Sequence, residues 1–226
     1  MNRSSIERIK GGLVVSCQAK EESPLRGPSF MAAMALCAEI GGAVGIRANG
    51  PSDIEAIRHS VSLPIIGIYK IYSEDYEAYI TPTFEAANAI AEAGADIIAV
   101  DATRRSHANG LSASELIAQI KGLGLPVMAD ISTCEEGTAA EEAGANIVAT
   151  TMSGYTPYSP PQADPDFDLI SELTQAVRVP IIAEGRIWTP DQARKAIDLG
   201  AHAVVVGTAI TRPEVITRRF ADALAE

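Results

Sequence analysis

Short apolar runs rich in Val, Ile and Ala alternate along this chain with longer Ala- and Glu-rich stretches, whose apolar positions recur at helical spacing. The first pattern predicts buried β-strands and the second amphipathic helices packed over them, so the chain reads as βα units around a parallel sheet. Strand-like runs fall at Leu13–Ser16, Ala43–Arg47, Ile65–Lys70, Asp96–Asp101, Val127–Asp130, Asn146–Thr150, Ile181–Glu184 and Ala203–Val206. Helical stretches between them include Ser29–Ile40, Thr83–Ala93, Ser112–Lys121 and Thr189–Leu199.

The runs carry an internal repeat. The second, fourth, sixth and eighth follow Gly42-Ala43, Gly94-Ala95, Gly144-Ala145 and Gly200-Ala201, whereas the third, fifth and seventh open on Pro64, Pro126 and Pro180. Glycine supplies the left-handed residue that ends a helix, and proline suits the first residue of a strand, where no ladder N–H is needed. The repeating unit is a (βα)₂ pair of roughly 50 residues used about four times. In 226 residues this predicts a single (β/α)₈ TIM barrel domain over 1–226, with a short N-terminal helical segment. A doubly wound open sheet is the competing architecture. It usually carries a Gly-rich fingerprint after its first strand, and here that turn reads Ser16-Cys17-Gln18-Ala19-Lys20.

Two loops stand out. Tyr72–Pro82 holds three tyrosines with Ser73, Glu74, Asp75 and Thr81-Pro82; Ser153–Asp168 holds four prolines with Tyr155 and Tyr158. Both leave C-terminal strand ends, so they read either as partial covers of the barrel mouth or as rigid surface connections.

A net charge of −11 argues against nucleic acid and anionic membranes as partners. No apolar run approaches the ~18–20 residues of a membrane span, and the first ten residues lack a secretory h-region. Cys17, Cys37 and Cys134 fit neither a disulfide framework nor a zinc spacing, which suggests a reducing cytoplasm. His59, His107 and His202 also lack metal spacing, so no metal site is expected.

In a barrel, polar residues that follow strands face the C-terminal mouth, where chemistry is done. The candidates are Gln18, Arg47, Lys70, Asp101, Asp130, Thr150, Thr151, Glu184, Arg186, Gly207 and Thr208. A lysine beside Arg47 and apolar walls can have its pKa lowered into the range of a base or a Schiff-base amine; equally, Lys70 could snorkel to solvent against an acid. Glu184 reads as an acid/base group or as a structural partner of Lys70 or Arg47. Asp130 and Arg47 could hold a substrate or Lys70, or merely close an ion-pair ring in the mouth. Asp101 is weaker, because such acids often only satisfy backbone donors. Gly185-Arg186 and Gly207-Thr208 follow the seventh and eighth runs, where this fold commonly binds phosphate, and Arg212 could add charge-assisted bonds. Glycine in these connections could also serve the turn alone. Cys17 and Trp188 read as packing residues.

Ser16-Cys17-Gln18, Ser23-Pro24-Leu25, Ile80-Thr81-Pro82-Thr83, Ala95-Asp96-Ile97-Ile98-Ala99-Val100-Asp101, Thr150-Thr151-Met152-Ser153-Gly154-Tyr155-Thr156, Ala183-Glu184-Gly185-Arg186 and Gly207-Thr208-Ala209-Ile210-Thr211-Arg212 together resemble the N-acetylmannosamine-6-phosphate 2-epimerase family, from about Gly12 to Arg212. The resemblance implies a cofactor-independent isomerase of sialic acid catabolism acting on a phosphosugar. It implies a proton-accepting lysine at Lys70, an acidic partner at Glu184, and substrate contacts from Gln18, Arg47 and Asp130, with Thr151 and Tyr155 beside them. Members often carry a basic residue directly after the lysine, whereas this chain has Ile71. Two other readings stand beside it: a Schiff-base aldolase or synthase using Lys70, and a phosphosugar-binding regulator on the same scaffold. Barrels of this kind often pair through helix faces, so a homodimer is compatible with the chain.

Overall fold

Strand side chains alternate between two faces, and in a closed barrel one face fills the interior while the other meets the helices. A computed structural model describes residues 4–225 and sorts the apolar runs in this way. The strands are β1 (Leu13–Cys17), β2 (Gly45–Asn49), β3 (Ile65–Ile68), β4 (Ile97–Asp101), β5 (Val127–Asp130), β6 (Ile147–Ala149), β7 (Ile181–Glu184) and β8 (Ala203–Val206). Each pairs in parallel with the next, and β1 pairs with β8 through Leu13↔Val204, Val14↔Val205 and Val15↔Val206, which closes the barrel. Val14, Ile66, Ile68, Ile97, Ala99, Met128, Ile147, Ile182 and Val205 pack together inside. Their neighbours Val15, Ile46, Ile65, Ile98, Val127 and Val148 pack outward against helices.

The helices are α1 (Ser5–Arg8), α2 (Pro28–Ile40), α3 (Pro51–Ser60), α4 (Phe84–Glu92), α5 (Ala113–Ile120), α6 (Cys134–Ala143), α7 (Phe167–Ala176), α8 (Pro190–Asp198), α9 (Thr208–Thr211) and α10 (Pro213–Ala225). Side-chain oxygens of Thr83, Ser112, Thr133 and Thr189 accept from the third backbone N–H of α4, α5, α6 and α8, which fixes where those helices begin. The short α1 brings Ile9 to the closed end of the barrel, where it joins the interior cluster.

The repeated Gly-Ala pair ends the helices, as the sequence suggests for the glycine, and takes the alanine with it. Gly42, Gly94, Gly144 and Gly200 have φ of 90°, 104°, 98° and 105°. The alanine after each donates back to a carbonyl five residues earlier (Ala43 to Ala38, Ala95 to Ile90, Ala145 to Ala140, Ala201 to Ala196). This is the six-to-one closure of a Schellman motif, with the alanine side chain buried against the helix. It corrects the expected run Ala43–Arg47: β2 begins at Gly45, and Arg47 lies within the strand rather than at its end. β4 and β6 likewise begin one residue later than expected, at Ile97 and Ile147.

One helix departs from the ring. α10 buries none of its residues and leaves Phe220 70% and Leu224 88% exposed. A groove of about 440 Å³ lies over the outer face of β8 and β1, lined by Leu13, Val204 and Val206 and by Ala193 and Ile197 of α8.

Candidate active site at the barrel mouth

The interior parity of each strand selects what its last polar residue faces. Counting by twos from interior residues, Val14 leads to Ser16, Ile68 to Lys70, Met128 to Asp130 and Ile182 to Glu184. The register sets Ser16 beside Arg47 and Asp101 beside Asp130. A cavity of about 830 Å³ opens there, lined among others by Gln18, Arg47, Lys70, Thr151, Glu184 and Gly207.

Arg47 is the hub. Its guanidinium is 1% exposed and grips Asp130 with two bonds, Nη1 to Oδ1 at 3.1 Å and Nη2 to Oδ2 at 2.5 Å. Nη1 also donates to Glu184 Oε2 at 2.5 Å. Thr151 Oγ1 donates to Asp130 Oδ1 at 2.7 Å and lies 3.2 Å from Glu184 Oε2. The ring of ion pairs weighed for these residues therefore exists. Asp130 supports Arg47 from beneath and is itself fully buried. Arg47 Nε and Gln18 Oε1 are buried without a hydrogen-bond partner, although Gln18 Nε2 donates to Ser16 Oγ at 2.8 Å. A buried donor and acceptor left unpaired at a cavity wall are groups that a ligand would satisfy.

Lys70 lies two residues beyond β3, held by an antiparallel bridge to Ile80 and by its N–H donating to Asn49 Oδ1 at 2.8 Å. Among the described residues its amine forms no ion pair within 4.0 Å, so the snorkelling alternative has no acid to anchor it. Burial, then the Arg47 charge, pulls the Lys70 amine down to about 8, against the pull of Glu184 and Asp130. Burial pushes the Glu184 carboxyl above the ordinary range, aided by Asp130 and opposed by Arg47, Thr151 and Lys70. The Thr150 hydroxyl accepts from Glu184 N–H at 3.0 Å and donates to Glu184 C=O at 2.9 Å, which pins this residue's backbone.

Gly185, Gly207, Thr208 and Arg212 line the same cavity. Arg186 does too, at φ 57°, but its donors serve the 153–168 loop after β6. Nε reaches Asp164 O at 2.9 Å and Nη1 reaches Ser153 O at 2.8 Å, with the guanidinium over the Tyr155 ring. Arg212 Nε is held by Glu214 Oε1 at 2.8 Å. The 153–168 loop is further tied by Thr156 Oγ1 to Ser132 Oγ and by Ser153 Oγ to Asp166. It is rigidly anchored, and it still places Tyr155 at the mouth.

Asp101 serves locally, receiving Thr103 N–H and pairing with Arg105. Burial pushes the Cys17 thiol up to about 12, as suits a packing residue. Ile71 does not line the cavity, so its apolar side chain is not part of the mouth. Among the described residues no metal-binding cluster of His, Cys, Asp or Glu occurs, and no helix is long and apolar enough to cross a membrane. Sequence reasoning missed Asn49 and Tyr79, both at the mouth. The period-two rule, extended one step past Arg47, would have found Asn49.

A family model described as "Putative N-acetylmannosamine-6-phosphate epimerase" matches residues 31–226. A relative in Caldanaerobacter subterraneus subsp. tengcongensis, named "Putative N-acetylmannosamine-6-phosphate 2-epimerase", is 54% identical over 228 residues, covering 100% of this chain and 96% of that protein. A relative of the same name in Cutibacterium acnes is 51% identical, covering 97% and 96%. The solved N-acetylmannosamine-6-phosphate 2-epimerase from Clostridium perfringens superposes with a TM-score of 0.96 at 46% identity, over 99% of this chain and 97% of that one. A thiamine phosphate pyrophosphorylase from Pyrococcus furiosus, at 15% identity and a TM-score of 0.59, shares the fold alone. With a family model spanning most of the sequence and relatives near half identity from end to end, this chain belongs to the N-acetylmannosamine-6-phosphate epimerase family.

Proposed function

We propose that the protein interconverts N-acetylmannosamine 6-phosphate and N-acetylglucosamine 6-phosphate by moving the proton at C2, without a cofactor, in the catabolism of sialic acid and other amino sugars. The observation that carries the assignment of residues is the Lys70 amine, without an ion pair among the described residues and lining the same cavity as the carboxyl of Glu184. The open-chain aldehyde makes the C2 proton acidic, because the charge left by its removal spreads onto O1. Lys70 takes or returns that proton and Glu184 serves the other face of C2 or holds the acetamido group. The two groups have their pKa values moved toward each other, the amine down to about 8 and the carboxyl up, the directions that suit each to exchange a proton with the substrate. Arg47, Gln18, Thr151 and Tyr155 orient the sugar, with Asp130 holding Arg47. Gly185, Gly207, Thr208 and the side chains of Arg186 and Arg212 border the phosphate, whose binding energy positions the reacting end. Widely spaced free cysteines favour a reducing compartment, the cytoplasm.

Lys70→Met should abolish interconversion while phosphosugar binding persists, and wild-type turnover should exchange the C2 hydrogen with solvent deuterium. Turnover by Lys70→Met would remove Lys70 from the mechanism. A lowered amine also suits Schiff-base chemistry, so borohydride trapping of substrate on Lys70, without exchange at C2, would favour an aldolase or synthase instead.

We further infer a homodimer in which two chains exchange α10. The groove over β8 and β1 is where the helix after β8 covers a barrel, and α10 carries Ile216, Phe220 and Leu224 at a spacing of four, with Phe220 and Leu224 exposed. Arg194 in the groove complements Asp222 on the helix. Only Arg212 separates α9 from Pro213, and so short a hinge favours exchange over folding back. Light scattering should report a dimer for the wild type and a monomer for Phe220→Asp; a monomeric wild type refutes the arrangement.

A further inference from the structure

The β3/β4 seam is open where Lys70 leaves the barrel. β2 and β3 pair at four positions and β4 and β5 at four, but β3 and β4 pair only at Ile66↔Ile97 and Gly67↔Ile98. Beyond Gly67 the gap is filled by Ile80-Thr81, from a loop that has travelled round the mouth and returned. Thr81 N–H donates to Tyr69 O at 2.9 Å, and Asp101 N–H donates to Ile80 O at 2.9 Å. The remaining pair of backbone groups, Tyr69 N–H and Ala99 C=O, is joined by a side chain. Tyr69 N–H donates to Thr81 Oγ1 at 3.1 Å, and that hydroxyl donates to Ala99 O at 2.6 Å. One hydroxyl thus replaces a rung of the sheet immediately before Lys70.

The residue is costly to place. Thr81 is fully buried at φ 50°, in the left-handed region that β-branched residues avoid. Glycine would relieve the backbone but has no hydroxyl. Serine would keep the hydroxyl, and threonine's branching adds a locked χ1 that aims it.

We propose that Thr81 is a positioning residue for Lys70, its hydroxyl closing the opened β3/β4 seam so that the amine is held in the mouth. This rests on the reading of Lys70 as the proton-transfer amine. Two neighbouring contacts also hold the strand end, Ile71 N–H donating to Tyr79 O and Lys70 N–H to Asn49 Oδ1, so losing the Thr81 bridge frees it on one side only.

The test compares wild type, Thr81→Val, Thr81→Ser and Lys70→Met. Valine removes both hydrogen bonds at nearly unchanged shape, and serine keeps them. Steady-state kinetics with N-acetylmannosamine 6-phosphate gives kcat and KM across pH. Reductive ¹³C-methylation with NMR gives the titration midpoint of Lys70, its signal assigned by its absence in Lys70→Met. The charged groups facing this amine are Arg47 from β2, Asp130 from β5, Glu184 from β7 and Lys20 from the segment after β1.

In Thr81→Val we expect kcat to fall at least about tenfold with KM within about threefold, the signature of a misplaced catalytic group. The Lys70 midpoint should rise from about 8, because an amine that swings free regains solvent. Thr81→Ser should restore most of both. The proposal is overturned by a folded Thr81→Val with wild-type kcat and midpoint, by a loss confined to KM, or by serine failing as valine does. If Thr81→Val does not fold, Thr81→Ala carries the same comparison with less crowding. Turnover in Lys70→Met would sink the reading of the amine itself, leaving the Thr81 bridge to be judged by the NMR midpoint alone. A dead Lys70→Met beside an unaffected Thr81→Val would sink the Thr81 proposal and leave that reading intact.

Discussion

Replacing Arg47 by methionine removes the one cation bonded to two carboxylates that water scarcely reaches, Asp130 at 0% and Glu184 at 14% side-chain exposure. Taking one partner from a buried ion pair leaves an uncompensated charge, which costs about 3–5 kcal/mol, against about 0–1 kcal/mol for a surface pair. For a chain of this size that is a fall of roughly 6–20 °C in Tm, taking about 2–4 °C per kcal/mol. Denaturant unfolding at constant m-value and calorimetry measure it. The sign of its pH dependence follows from Glu184, whose folded pKa already lies above its unfolded value. Such a group costs stability as pH rises through that interval and nothing below it; losing Arg47 raises the folded value further, so the defect should be smaller near about pH 5 than near about pH 8. Adding Asp130→Leu, which removes the stranded carboxylate, should recover part of the loss. A defect below about 1 kcal/mol, or one that grows on acidification, would refute the view that Arg47 holds these two acids in the folded state.

Three further outcomes follow from the same structure. With Lys70 near about 8, turnover in the direction where it accepts the proton should rise roughly fivefold from pH 7 to pH 8, tracking its neutral fraction, and level off above pH 9; a kcat profile flat from pH 7 to pH 9 contradicts that role. Gly67→Ala would set a methyl 2.7 Å from Ala95 Cβ and 3.1 Å from Ile54 Cδ1, so we expect a loss of about 1–3 kcal/mol by thermal unfolding, and an unchanged Tm would mean that α3 and α4 can part there. Arg186→Ala removes the two bonds to Asp164 O and Ser153 O, so limited proteolysis within 154–164 should accelerate and KM should rise; an unchanged cleavage rate would show that other ties suffice to anchor the loop.

Much of the architecture could be read from local chemistry. Thr83, Ser112 and Thr189 mark helix starts because each offers an oxygen to an otherwise unpaired N–H. The apolar runs become strands, and the last polar residue of most of them reaches the mouth, because period-two alternation carries the interior face to the strand end. The Gly-Ala repeat was legible as a helix ending, but Ala43 was counted into a strand, because the six-to-one bond that claims the alanine appears only when the helix is built. At the site, Lys70 and Glu184 were legible as residues at the mouth, but not what each would touch.

Sequence by itself determined the eightfold βα order and the inward parity of its polar strand ends, because both depend on neighbours within a few residues. Only the tertiary structure decided that Arg47 is bound to Asp130 and Glu184, 83 and 137 residues away, while among the described residues the Lys70 amine forms no ion pair. It alone turned Arg186 onto the neighbouring 153–168 loop, set Thr81 in the gap between β3 and β4, and left α10 without a buried residue. Those outcomes depend on which groups closure of the barrel brings within hydrogen-bonding distance, and a linear pattern of polar and apolar residues holds no record of that distance.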